Sequence, residues 1–77
     1  MSSTGFTCTL DEFKLQAAKL AKRAESGSYT AEALELGMRS LRLYYLNLVG
    51  SKADIAIAFS YLEYANRKYI AAALDSL

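Results

Sequence analysis

Histidine, tryptophan and proline are absent from these 77 residues, and cysteine occurs once. Without histidine, the commonest general base and metal ligand is missing. One cysteine makes neither an internal disulfide nor a thiolate cluster. No Gly-rich phosphate loop, nucleophile elbow or di-carboxylate helix motif occurs either. An enzyme is therefore not expected, and no cofactor, metal site or catalytic residue is assigned. An excess of one charge is also lacking, since nine Lys and Arg against eight Asp and Glu leave a net charge of +1. Binding along a phosphate backbone demands a basic excess, so weak nucleic-acid binding ranks third among the readings. The richest apolar stretch, Ile55 to Leu74, is broken by Glu63, Arg67 and Lys68, which argues against a membrane-spanning helix. The segment Met1–Thr9 carries neither the basic nor the apolar region of a secretory signal. A cytoplasmic location is expected, with Cys8 a small buried or half-exposed thiol.

What the chain does hold is apolar surface: 53% of it is hydrophobic and 22% charged. That balance belongs to a folded globule. A core of this size barely offsets the entropy of ordering the chain, so a second copy or a bound partner is a physical expectation. With no proline and with Gly27 and Gly50 as punctuation, the pattern predicts an all-α three-helix bundle. A helix over 10–25 packs across an antiparallel helix hairpin, 31–49/52–75. Residues 1–8 read as an extended, partly frayed tail with Phe6 docking on the bundle, and 9–77 as one helical domain.

Each helix carries its own start signal. Thr9 and Glu12 form a capping box, and Leu10, Phe13, Ala17, Leu20, Ala21 and Ala24 then mark the inward stripe at helical spacing. Thr30 is the second N-cap, followed by Leu34, Met38, Leu41, Tyr45 and Leu48 at alternating spacings of four and three. Gly37 within that helix either removes a side chain where another element comes close or is a tolerated surface glycine. Ser51 and Asp54 resemble a further capping box, and the third stripe runs through Ile55, Ala58, Phe59, Leu62, Ala65, Tyr69, Ala72 and Ala73. Leu34, Met38, Leu41, Tyr45, Phe59 and Leu62 are the expected core of the hairpin.

Apolar residues remain after these stripes are assigned. Leu36, Leu43 and Tyr44 lie outside the second seam, and Ile57, Tyr61 and Tyr64 form a neighbouring face of the third helix. These six are the candidate interface, although a tyrosine with its apolar ring and polar tip suits packing at a core edge as well as a partly wet contact. The expected role is a non-enzymatic interaction module that self-associates as a two-fold homo-oligomer. The alternative is a monomeric adaptor binding a helical peptide or partner protein in a groove. Most carboxylates are explained by first-turn positions; Glu63 is expected to pair with Arg67, and Glu35 with Arg39, one helical turn on. Arg39, Arg42, Arg67 and Lys68 would form a modest basic patch if the hairpin brought them together, but surface salt bridging is the expected account of them.

The segment Asp54-Ile55-Ala56-Ile57-Ala58-Phe59-Ser60-Tyr61-Leu62-Glu63-Tyr64-Ala65 resembles a family of small archaeal helical proteins of unknown function. There, a loop with an acidic residue leads into a helix carrying Ala-Phe and then an aromatic-Ala pair. The resemblance implies a small helical bundle without known catalysis. Asn66, Arg67 and Ile70 stand where that family tends to have glycine and, later, aspartate. The segment from Gly27 to Leu34 looks like the turn of tetratricopeptide repeats and of microtubule-interacting-and-trafficking domains, with one extra residue between Tyr29 and Ala33-Leu34.

Overall fold

Three capping signals set three helices in the computed structural model of the chain, which describes residues 7–75. They are α1 (Leu10–Ser26), α2 (Ala31–Leu46) and α3 (Lys52–Asp75). At the head of α1, the Thr9 hydroxyl accepts from the Glu12 N–H at 3.3 Å while the Glu12 carboxylate accepts from the Thr9 N–H at 3.0 Å. The Thr30 hydroxyl accepts from the Ala33 N–H at 3.1 Å. Before α3 the reciprocal pair recurs with Asp in place of Glu: Ser51 Oγ accepts from Asp54 N–H at 3.2 Å, and Asp54 Oδ2 from Ser51 N–H at 3.1 Å. Each arrangement satisfies backbone donors that a helix start leaves orphaned. Gly27 ends α1 in the left-handed region, at φ 70°, where a side chain would be strained.

The helices pack as the expected three-helix bundle, with α1 lying most extensively against α3. Its core is Cys8, Phe13, Ala17, Leu20, Ala24, Leu34, Met38, Leu41, Ala58 and Ala65. The inward stripes of α1 and α2 thus face the core largely as their spacing predicts, although Leu10 and Tyr45 stay half-buried at its edge. Gly37 has a direct reason: a Cβ there would lie 2.6 Å from Leu20 Cδ1. The missing side chain lets Leu20 of α1 press onto the α2 backbone.

Two expectations need correction. The second helix stops at Leu46 instead of residue 49, because Asn47 caps it and Leu48 turns to pair with Cys8. The Asn47 N–H donates to the Leu43 and Tyr44 carbonyls, and its side-chain amide to the Leu43 carbonyl at 2.8 Å. Cys8 N–H then donates to Asn47 O at 3.0 Å, and Val49 N–H to Cys8 O at 2.9 Å. This short parallel bridge fastens the end of the tail, and Cys8 is buried as its thiol was expected to be. Phe6 and Leu77 lie outside the described residues.

The larger correction concerns α3. Phe59, placed in the core by its spacing, is 47% exposed, and Ile55 of the same stripe is exposed too. Only Ala58 and Ala65 are fully buried on this helix. Two small side chains at the centre of the contact bring the α3 backbone close to α1 and α2, leaving no depth for a phenyl ring one position away. Phe59 therefore lies at the margin, tilted against Tyr45 with ring centroids 6.2 Å apart.

Candidate interaction site

The six candidate interface residues do not share a face. Leu36 and Leu43 stand seven residues apart on α2, 61% and 59% exposed, about half a turn away from Leu34 and Leu41. They point away from the bundle. Tyr44 turns toward α1, where it is half-buried beside Gln16. Tyr61 is also half-buried, with Lys14 of α1 over its ring at 5.8 Å. Tyr64 lies under Lys68 at 5.4 Å, and the same ammonium reaches Glu25 of α1 at 2.7 Å. Ile57 precedes Tyr61 and Tyr64 on that stripe and is exposed. Tyr61 and Tyr64 thus border the seam between α1 and α3, on the far side of α3 from Phe59.

That α1–α3 seam is electrostatically satisfied. The hydrogen bond and charge of Glu25, helped by Tyr64, hold the Lys68 ammonium above its ordinary pKa. Cations over tyrosine rings add the attraction of the ring quadrupole. Of the four cations Arg39, Arg42, Arg67 and Lys68, two are held in surface salt bridges. Lys68 is committed to Glu25, while Arg39 pairs with Glu35 on its own helix at 3.0 Å. Glu63 and Arg67 form no ion pair with each other among the described residues.

The opposite side of α3 is built differently. Between α2 and α3 runs an open groove of about 360 Å³, lined by Met38 and Arg42 from α2 and by Phe59, Leu62, Glu63 and Asn66 from α3. Met38 is wholly buried at its floor and Leu62 half-buried. Helical spacing extends the apolar rim: Leu46 is one turn beyond Arg42, and Ile55 one turn before Phe59. Both are exposed, Leu46 to 76%. Arg42 and Glu63 project from opposite walls, and among the described residues neither forms an ion pair. This groove carries an exposed aromatic, an apolar rim and one charge of each sign. Sequence reasoning missed it because Phe59 counted as core and Glu63 as the partner of Arg67.

No grouping of three or more His, Cys, Asp or Glu suited to a metal ion occurs among the described residues. None of their helices is long and apolar enough to cross a membrane. No protein-family model, curated protein sequence or solved structure matches the chain.

Proposed function

We propose that this chain is a non-enzymatic interaction module that pairs with a second copy of itself through the α2–α3 face. The observation that carries this reading is the groove with Phe59 half exposed between Arg42 and Glu63, neither of which forms an ion pair among the described residues. A two-fold contact uses the same patch on both copies, so whatever one wall presents, the other copy must answer. A patch bearing one cation and one anion on opposite walls meets that demand, with Arg42 facing the partner's Glu63 and the reverse. The ring of Phe59, with Leu46 and Ile55 near it, supplies the apolar centre. Aromatic anchors surrounded by polar rims dominate such contacts.

The exposed Leu36 and Leu43 flank this face on the outer side of α2 and widen the apolar surface available to a partner. Absolute mass in solution, followed from high to low micromolar concentration with circular dichroism on the same samples, tests the reading. A dimer that dissociates on dilution while remaining helical is expected. A folded monomer at every concentration overturns self-association and favours the second reading, in which a helical segment of another protein fills the groove.

A further inference from the structure

A second groove, between α1 and α2, has a different chemistry. Its α1 wall presents Gln16, Lys19 and Arg23, and its α2 wall Gly37, Ser40 and Tyr44. On each helix these positions follow the spacing of a single stripe, so the two rows face one another along the groove. Leu20 and Leu41 close its floor. At about 170 Å³ it has room for a side chain but not for a cofactor, whose pockets run to roughly 300–1,000 Å³.

No Asp or Glu lines this groove, although the chain has eight acidic residues. Lys19 forms no ion pair among the described residues. Arg23 lies over the ring of Tyr29 at 5.5 Å, which restrains its guanidinium while leaving it in the groove wall. Two cations and the Gln16 amide thus share this groove, and no carboxylate lines it. Beyond Gln16 and Tyr44, which line both cavities, an adjoining hollow runs on past the exposed Leu15 toward Cys8; its carboxylate, Glu12, is committed to the Thr9 cap.

From this juxtaposition we infer that the α1–α2 groove docks an acidic, amphipathic segment of a partner protein. One of its carboxylates enters between Lys19 and Arg23, and an apolar side chain lies against Leu15 and Tyr44. The carboxylate accepts charge-assisted hydrogen bonds from the ammonium and guanidinium. Gly37, whose missing side chain admits Leu20, also forms part of the groove wall. The inference is independent of the α2–α3 face, which uses other residues.

The test uses two synthetic helical peptides of Leu and Ala, one bearing glutamates on its polar face and the other glutamines at the same places. Amide chemical shifts of the intact protein are followed on titration with each. The acidic peptide is expected to move Gln16, Lys19, Arg23, Gly37 and Ser40, with affinity falling as salt rises. The glutamine peptide, and the Lys19→Gln/Arg23→Gln variant titrated with the acidic one, should each bind about tenfold more weakly, a change of about 1.4 kcal/mol. Equal affinity for both peptides, or shifts confined to Phe59 and its neighbours, overturns the proposal. So does tighter binding of a single-stranded oligonucleotide to the same residues.

Discussion

The two sides of α3 answer the same problem in opposite ways. Toward α1, the helix closes its margin with Lys68 on Glu25, Lys14 over Tyr61 and Lys68 over Tyr64. Toward α2, it leaves Phe59 half exposed, with Arg42 and Glu63 on either wall and in no ion pair among the described residues. Both margins contain aromatic rings and charges of both signs, so composition does not distinguish them. Only one is finished within a single copy of the chain. Of the six tyrosines, Tyr61 and Tyr64 belong to the finished side, while Tyr45 lies against Phe59 at the open one.

The sharpest way to break this contrast is to attack the interior that both margins protect. Phe13 is completely buried, and Phe13→Ala should cost about 3–5 kcal/mol, enough to unfold so small a domain. Urea denaturation followed by circular dichroism checks this; a loss under about 1 kcal/mol would mean that α1 does not pack as described. Phe59→Ala sharpens the comparison by asking what the open margin contributes. With nearly half its surface exposed, its loss should cost the single folded copy about 2 kcal/mol or less, while the tendency to pair disappears. Light scattering beside the same denaturation series separates the two effects. A penalty equal to that at Phe13 would return Phe59 to the core.

The smallest effect concerns Cys8, where the tail is fastened to the end of α2. Burial first, and the nearby Glu12 carboxylate second, hold its thiol above the ordinary value of 9.0. The folded chain therefore keeps its proton to higher pH than the unfolded chain does. Stability from this group is complete below pH 9.0 and is lost as the pH rises toward the folded value. Unfolding curves at mildly and strongly alkaline pH should show a decline that Cys8→Ala partly removes. In the native state at neutral pH, a thiol-specific reagent should react only slowly.

Much of the fold was legible because its signals are local. Thr9, Glu12, Thr30, Ser51 and Asp54 act within one turn of themselves, and the stripes of α1 and α2 follow from spacing alone. The end of α2 was not legible, since Asn47 stops it with help from Cys8, a residue distant in sequence. The candidate site was legible only as a surplus of apolar residues on α2 and α3. Hydropathy spacing shows how wide an apolar arc is, but not on which side of it a third helix docks. Here α1 took the side bearing Tyr61 and Tyr64, and the small Ala58 and Ala65 left Phe59 outside. Side-chain size along the stripe was the available signal.

Self-association through the α2–α3 face is most directly tested by exchanging its two charges. Arg42→Glu alone sets carboxylates against carboxylates across the two-fold axis, and Glu63→Arg alone sets cations against cations. Each variant should be monomeric, and each should stay helical because both positions are exposed. Mixing the two in equal amounts restores both opposite-charge pairs, and light scattering on the mixture should show a mixed dimer. If the mixture remains monomeric while the unaltered chain is dimeric, the second copy is held by another face.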